Sequence, residues 1–244
     1  MRYLINLTYD GSKFYGYQIQ NNKKTVEGEL EKNLSKIFNK KINTIGASRT
    51  DKDVHAYNQY AHFDAEKMDL NKLTHSLNSM IDDNIYIKKI LKVDDKFSAR
   101  FSVIKKEYIY KINMGEYNPL EKDYVFQYNK KIPKKLLDEF VKIMKGTHNF
   151  KSFTSDKTKE NYERNLVIDY TIKNNILTLR LESSGFLRYM IRNIVGLLLD
   201  INDNKKSIDD INKIFESKNR SSSGRCASGC GLYLNKIYYW GNYA

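Results

Sequence analysis

The densest group of reactive side chains in the sequence lies in residues 45–64, which read IGASRTDKDVHAYNQYAHFD. Eight consecutive positions of this segment contain Ser48, Arg49, Thr50, Asp51, Asp53 and His55. An arginine two residues before an aspartate, on a polar loop between apolar strands, can keep the carboxylate ionised, oriented and partly shielded from water. Such a carboxylate is a competent nucleophile, so Asp51 is the candidate reactive group.

Two other interpretations of this loop stay open. A loop aspartate most often accepts hydrogen bonds from its own turn. The D-x-D-x-H spacing of Asp51, Asp53 and His55 could also present oxygen and nitrogen ligands to a metal ion, as in a metal-dependent nuclease. We rank the metal site lower, because three ligands on one short loop without another acidic cluster make a poor site.

The charge balance of the chain predicts an anionic partner. Its 244 residues include 42 Lys and Arg against 29 Asp and Glu, which gives a formal charge of +13. Both halves of the chain share the excess, which favours a polyanion such as nucleic acid over a basic tail. The 19 tyrosines and 11 phenylalanines fit this partner, because unpaired bases stack on aromatic rings while their phosphates meet cations.

The hydrophobic pattern of the first half predicts six elements in the order β-α-β-β-α-β. They are strands 2–9, 42–47, 57–64 and 85–93, a helix from Thr25 to about Asn39, and a helix capped by Asp69 that ends near Met80. This order is the split βαβ pattern of ferredoxin-like and RNA-recognition sheets.

The second half predicts the same kind of structure. Strand 105–114 places Tyr108 and Tyr110 on one face. It is followed by a helix from Pro133 to Lys145, a hairpin over 166–181, a helix near 208–215 and a strand at 232–240. Between the hairpin and the last helix, the very apolar helix 185–199 would carry Arg188 and Arg192 one turn apart. We therefore predict an α+β fold with an N-terminal domain at 1–104, which carries the Asp51 loop, and a C-terminal domain at 105–244.

A glycine-punctuated loop follows the first strand and contains Lys13, Tyr15 and Gln18. Such a loop can approach a nucleic-acid backbone closely and stack a ring on a base. A turn whose rings cover the sheet edge is the commoner structure for this composition.

The sequence contains no P-loop, dinucleotide glycine motif, nucleophile elbow or zinc signature, so no cofactor is predicted. Cys226 and Cys230 are expected to be free thiols, since two cysteines lack the four ligands of a structural zinc site. The N-terminus enters a strand pattern directly and no apolar run approaches membrane-spanning length. We expect a cytoplasmic protein.

In its motifs the chain resembles the bacterial tRNA pseudouridine synthase A family over nearly its whole length. YDGSKFYGYQIQ (9–20) and GASRTDKDVHAYNQYAHF (46–63) are similar to the first and catalytic blocks of the family. FSARFS, KKEYIY, GTHNFKSF, GFLRYMIRNIVGLLL and GLYL follow in family order. One block alone would be a weak signal, whereas the ordered series is highly specific.

The resemblance implies two RNA-recognition-like halves joined in a central antiparallel sheet, with helices on one face and a basic cleft. It also implies the isomerisation of uridine to pseudouridine in the anticodon stem-loop of tRNA (positions 38–40), without cofactor or metal. A homodimer in which each tRNA touches both subunits is implied by the resemblance as well.

Individual roles also follow from the resemblance. Asp51 would attack the target nucleotide, Arg49 would help to extrude the base, and Arg192 would pair with Asp51. Tyr108 would stack on the target base. Further RNA contacts would come from Lys13, Tyr15, Gln18, His55 and Arg188.

The chain departs from the family pattern in its first block and in its catalytic block. Ser48 and Asp53 replace usual glycines, so each is expected to be either a tolerated left-handed residue or a sign of an altered loop. Tyr17 replaces a usual tryptophan, and Ile19 a usual basic residue. A paralogue that acts on another RNA, such as ribosomal RNA, and a noncatalytic RNA-binding protein on the same fold are the alternatives.

Overall fold

The computed structural model describes residues 1–241 of the 244. Along this part of the chain lie ten strands and five α-helices: β1 (Arg2–Tyr9), α1 (Val26–Ile37), β2 (Ile45–Gly46), β3 (His55–Asp64), α2 (Leu70–Met80), β4 (Ile85–Val93), β5 (Val103–Asn113), β6 (Phe126–Gln127), α3 (Lys134–Met144), β7 (Gly146–Asn149), β8 (Glu163–Lys173), β9 (Ile176–Ser183), α4 (Met190–Asn202), α5 (Asp210–Ser217) and β10 (Leu232–Tyr239). The predicted α+β class is confirmed.

The chain forms two compact units. The first contains Met1–Lys106 together with residues 233–241, and the second contains Glu107–Leu232. The chain therefore passes from one unit to the other within β5 and returns at the start of β10. The C-terminal domain predicted at 105–244 includes the closing strand, but β10 runs parallel to β3 of the first unit, with Tyr233 opposite His55.

The sheet of the first unit has the strand order β4-β1-β3-β10. β1 is antiparallel to β3, with Arg2 opposite Asp64, and antiparallel to β4, with Arg2 opposite Val93. Tyr3, Ile5 and Leu7 of β1 are fully buried, as the alternating pattern predicts. This arrangement confirms the β-α-β-β-α-β order predicted for the first half.

The two helices of the first unit begin where the sequence predicts. The Thr25 hydroxyl accepts a hydrogen bond from the Gly28 N–H at 3.3 Å, and the Asp69 carboxylate accepts one from the Lys72 N–H at 2.8 Å. Each side chain thereby satisfies an N–H group that has no partner within its helix.

Strand β2 is much shorter than the predicted 42–47. The N–H of Ile42 donates to the Ser35 hydroxyl at 2.9 Å, and the N–H of Thr44 donates to the Glu31 carboxylate at 2.6 Å. These two N–H groups are therefore bonded to side chains of α1 instead of a neighbouring strand, which leaves only Ile45 and Gly46 in the sheet.

The sheet of the second unit has the order β5-β9-β8-β7, and β6 pairs in parallel with β5. β8 and β9 form the predicted hairpin, with Lys173 opposite Ile176. Asn174 and Asn175 at its turn both have positive φ, 51° and 61°, as a tight two-residue turn requires.

Helix α4 begins at Met190, five residues later than the predicted Gly185. Tyr189 has φ 61° and ψ 3°, a left-handed conformation through which an α-helix cannot continue. Arg188 therefore precedes the helix, and the prediction that Arg188 and Arg192 lie one helical turn apart is wrong. Instead, the carbonyl of Arg188 accepts a hydrogen bond from the Thr154 hydroxyl at 2.9 Å.

Within residues 1–241, no helix is both long and apolar enough to cross a membrane.

Candidate active site

The loop that carries Asp51 is fixed at its start by a buried glutamine. Gln59 of β3 has no exposed surface. Its amide oxygen accepts from the Ser48 N–H at 3.2 Å, and its amide nitrogen donates to the Ser48 carbonyl at 2.6 Å. The N–H of Ala47 donates to the Tyr60 carbonyl at 2.7 Å. The backbone that leads to Asp51 thus has few alternative positions.

The residue directly before Asp51 is held from two other segments. The Tyr9 hydroxyl of β1 lies 2.7 Å from the Thr50 hydroxyl, and the N–H of Tyr17 donates to the Thr50 carbonyl at 3.0 Å. Thr50 is buried, so these hydrogen bonds are protected from competition with water.

Two glycines allow residues 10–18 to lie against the Asp51 loop. A Cβ on Gly11 would lie 2.0 Å from the Val54 carbonyl oxygen, and one on Gly16, where φ is 95°, would lie 2.8 Å from the Thr50 carbonyl oxygen. From the sequence, close approach to nucleic acid is one interpretation of these glycines and a turn is the commoner one. In the structure they permit close approach to the backbone of the protein itself.

Asp51 is half-buried and opens a turn, because its carbonyl accepts from the Val54 N–H at 3.2 Å. Asp53 within this turn has φ 65°, so of the two expected outcomes it is the tolerated left-handed residue. Ser48 does not share that conformation. The turn geometry therefore needs a permissive residue at position 53, where aspartate is tolerated better than most side chains.

Arg49 is exposed, and its charge acts on the carboxylate of Glu27. Burial raises the pKa of Glu27, while hydrogen bonding from the Ile19 N–H at 3.0 Å and the charge of Arg49 both oppose that rise. Arg49 thus lies at the accessible edge of the loop, where it can meet a polyanion.

Lys106 is a functional candidate that the sequence analysis missed. Its Nζ donates to the Ala47 carbonyl at 2.6 Å and lies 3.4 Å from the Ser48 hydroxyl. Burial, together with the positive charge of Arg100, lowers the pKa of Lys106 to about 8. No sequence pattern indicates this role, because Lys105 and Lys106 are adjacent lysines of one strand and only tertiary packing distinguishes them.

His55 lies beneath the loop, away from solvent. The whole residue is 2% exposed, its Nδ1 accepts from the Gly11 N–H at 3.1 Å, and its ring stacks on that of Tyr233 with centroids 4.6 Å apart. This environment favours a supporting role over the RNA contact expected from the resemblance.

The exposed edge of the first loop combines cations with an aromatic ring. Tyr15 is 43% exposed, with the Lys23 Nζ 4.5 Å and the Lys52 Nζ 5.2 Å from its ring centroid. Lys13 and Gln18 of the same loop are also exposed. Because Lys52 directly follows Asp51, its contact with Tyr15 brings that ring close to the loop of the candidate reactive group. The arrangement suits unpaired nucleotides.

In the second unit, Arg192 of α4 is anchored to the segment at 225–227. Its Nε donates to the Ala227 carbonyl at 2.8 Å, while its own carbonyl accepts from the Ala227 N–H at 2.9 Å. Gly196 makes this contact possible, since a Cβ there would lie 1.9 Å from the Arg225 carbonyl oxygen. The Arg192 side chain is therefore oriented before any ligand arrives.

Tyr108 and Arg188 have contrasting environments in the same unit. Tyr108 is 6% exposed and meets Phe186 edge to face, with centroids 5.2 Å apart. Arg188 is exposed, and its guanidinium lies 4.9 Å from the centre of the Tyr189 ring. The stacking role of Tyr108 and the RNA contact of Arg188 stay predictions.

No group of three His, Cys, Asp or Glu side chains within residues 1–241 is arranged to hold a metal ion. The Asp51, Asp53 and His55 triad of the metal-dependent nuclease alternative therefore lacks a suitable donor arrangement.

A sheet of RNA-recognition type, a carboxylate on a rigid loop and a cationic aromatic edge beside it are together typical of an RNA-modifying enzyme. Comparison with known proteins identifies the particular kind. A family model described as tRNA pseudouridine synthase matches residues 7–102 and 140–240. The chain belongs to this family, and it is a pseudouridine synthase.

Several relatives match almost from end to end. The chain is 38% identical over 242 residues to a tRNA pseudouridine synthase A of Malacoplasma penetrans, covering 98% of this chain and 100% of the relative. It is also 38% identical to one of Mycoplasma genitalium (98% of each chain), and 36% identical to one of Bacillus subtilis (98% of this chain and 99% of the relative). The similarity thus extends over both units.

Proposed function

We propose that this protein converts uridine to pseudouridine in the anticodon stem-loop of tRNA, with Asp51 as the nucleophile. Relatives named tRNA pseudouridine synthase A match over nearly the whole chain, which supports tRNA as the substrate. The observation that carries the role of Asp51 is its loop, which Gln59, Tyr9 and Tyr17 hold in one conformation. A nucleophile held in this way loses little freedom when the substrate binds.

The reaction is an isomerisation, so its atoms balance without a co-reactant. The bond between N1 of uracil and C1′ of ribose breaks, the base rotates, a bond forms between C5 and C1′, and the C5 proton is replaced by one on N1. A carboxylate can add to C1′ or to the pyrimidine ring, and both routes need an ionised Asp51. Both also need the base outside the helical stack.

The other candidate residues would bind the RNA or assist Asp51. Lys13, Tyr15, Gln18 and the exposed Arg49 would hold the RNA and the extruded base at the first unit. In the second unit, Tyr108 would stack on the base, while Arg192 would pair with Asp51 and Arg188 would contact RNA. A homodimer and a cytoplasmic location complete the proposal; analytical ultracentrifugation and cell fractionation test them.

Replacing the nucleophile tests the mechanism directly. Asp51→Asn should lower tritium release from tRNA labelled at C5 of uridine by about 10³-fold or more, because the amide cannot form the covalent intermediate. Binding of tRNA in a filter assay should stay within about threefold, since the side chain keeps its shape and the net charge rises by only one.

Asp53→Asn is the matched control for Asp51→Asn. It removes a carboxylate two residues away, and asparagine tolerates the left-handed conformation of position 53. Its activity should stay within about tenfold of the wild type. Full activity in Asp51→Asn would show that Asp51 is not the nucleophile, and a wild-type protein that releases no tritium would favour the noncatalytic RNA-binding alternative.

The target is tested separately by mapping pseudouridine across total RNA from cells with and without the gene. Loss of modification in tRNA anticodon stem-loops would support the proposal. Loss confined to ribosomal RNA would identify the chain as a paralogue with another substrate.

A further inference from the structure

Tyr189 has an unfavourable backbone conformation at the start of the most apolar helix. Its φ of 61° and ψ of 3° place it in the left-handed region, and its side chain makes no capping hydrogen bond to α4. Among the non-glycine residues of 1–241 that share a positive φ, six are asparagines and Tyr189 is the one aromatic residue. Left-handed aromatic residues are strained and tend to persist where a function requires them.

The ring of Tyr189 contacts two cationic side chains, those of Arg188 and Arg192. The guanidinium carbon of Arg188 is 4.9 Å from the ring centroid, and that of Arg192 is 5.2 Å away. Arg188 Nη2 also donates to the Tyr189 hydroxyl at 3.1 Å. An aromatic face attracts a guanidinium electrostatically and offers it a flat surface, so one ring restrains both arginines.

Because of the left-handed conformation of Tyr189, Arg188 and Arg192 do not lie on the same helix. This conformation makes α4 begin at Met190 and leaves Arg188 in the segment that is bonded to Thr154, whereas Arg192 lies on α4 and is bonded to Ala227. A helical residue at position 189 would continue the helix into residue 188 and change the direction of both the ring and Arg188. The contacts of the ring with the two arginines therefore depend on the strained backbone of Tyr189.

We propose that Tyr189 is a positioning residue for Arg192, kept in a strained conformation because its ring holds that guanidinium ready for the ionised groups of the reaction. The proposal rests on the proposed function, in which Arg192 acts in catalysis. Tyr189 itself need not contact the RNA.

Two substitutions separate the ring from the backbone conformation. Tyr189→Asn accepts the left-handed backbone with less strain than tyrosine, but it removes the ring. Its Tm should equal or exceed that of the wild type by up to about 4 °C, whereas kcat on tRNA should fall about tenfold or more and KM should change less than kcat. Tyr189→Phe keeps the ring and should retain kcat within about threefold.

A double-mutant cycle tests whether Tyr189 acts through Arg192. In an Arg192→Lys background, Tyr189→Asn should lower kcat by less than about threefold further, because the group to be positioned is already lost. Additive losses would overturn the proposal, since they would mean that the ring acts on the RNA independently. So would a Tyr189→Asn variant with normal kcat, or one in which Tm and kcat fall together as for a merely structural residue.

A chemical readout keeps this test separate from the proposed function. Phenylglyoxal labels accessible arginines, and mass spectrometry should find Arg192 labelled several-fold faster in Tyr189→Asn than in the wild type or in Tyr189→Phe. If the wild type makes no pseudouridine but this difference is found, the positioning role stands and the proposed function fails. Equal labelling rates in all three proteins would overturn the positioning role.

Discussion

The ammonium group of Lys106 holds the start of the Asp51 loop, because it donates a hydrogen bond to the Ala47 carbonyl at 2.6 Å. Burial and the charge of Arg100 lower the pKa of Lys106 to about 8. The hydroxyl of Ser48, which stands where the resemblance leads one to expect glycine, lies 3.4 Å from the same Nζ. The serine that replaces the usual glycine at position 48 thus has a side-chain contact with Lys106.

The lowered pKa of Lys106 predicts a particular dependence of stability on pH. Between its folded pKa of about 8 and the higher pKa of the unfolded chain, the unfolded state binds more protons, so this lysine contributes stability that increases with pH. The free energy of unfolding of the wild type minus that of Lys106→Met should therefore be constant below about pH 8 and rise above it, by about 1 kcal/mol per pH unit. Urea unfolding from pH 7 to 10 measures it.

Lys106→Arg provides the control for this prediction. Arginine stays charged throughout this pH range, so the wild type compared with Lys106→Arg should show the same rise as with Lys106→Met. A difference that does not change with pH would show that Lys106 is not the titrating group.

At the scale of single residues, sequence reasoning found the groups with recognisable chemistry. Asp51 and Arg49 stood out by type and spacing, and the left-handed Asp53 could be expected from a departure at a glycine position. Lys106 and Tyr189 could not be found in this way. The importance of Lys106 comes from burial against a distant loop, and that of Tyr189 from a backbone angle that no local pattern specifies.

At the scale of elements, the contact between α4 and residues 225–227 decides where Arg192 points. Gly196→Ala would place a Cβ 1.9 Å from the Arg225 carbonyl oxygen. The intrinsic gain of alanine over glycine in a helix, about 1 kcal/mol, is outweighed because the segment must move. We expect a loss of about 1–3 kcal/mol of unfolding free energy and a fall in kcat, as the Arg192 to Ala227 hydrogen bonds are displaced.

Gly185→Ala is the matched control for Gly196→Ala. A Cβ at position 185 would meet no atom within 4 Å, so the free energy of unfolding should change by less than about 0.5 kcal/mol. Thermal denaturation of both variants, with kcat measured in parallel, checks the prediction. Equal stability of the two variants would show that the 225–227 segment moves without cost.

The elements themselves were predictable where their signals are local. Caps at Thr25 and Asp69, the K-N-N hairpin turn and the alternation of β1 all lie within a few residues of the structure they specify. The start of α4 was predicted wrongly because apolar periodicity continues through residues that are not helical. The short β2 depends on hydrogen bonds from Ile42 and Thr44 to α1, and the parallel pairing of β10 with β3 joins positions far apart in the sequence.

At the scale of the whole molecule, the formal charge of +13 should govern how the protein meets RNA. Each phosphate contact releases counterions, so the affinity for RNA falls as salt rises. We expect the Kd for tRNA to increase by about tenfold or more between about 50 and about 200 mM KCl. The Tm of the protein alone, measured over the same range, controls for an effect of salt on folding.

The position of the cations, beyond their number, is tested by two substitutions with the same change of charge. Lys52 lies beside Asp51 and over Tyr15, so Lys52→Gln should reduce the slope of log Kd against log salt by about 0.7–0.9, the contribution of one phosphate contact.

Lys36, the site of the control substitution, is exposed near the end of α1. It lies about 13 Å along the helix from Glu27, whose N–H donates to the Tyr17 carbonyl of the first loop. If general charge attracted the RNA, Lys36→Gln would reduce the slope equally. A localised interface instead requires that Lys36→Gln leave the slope unchanged.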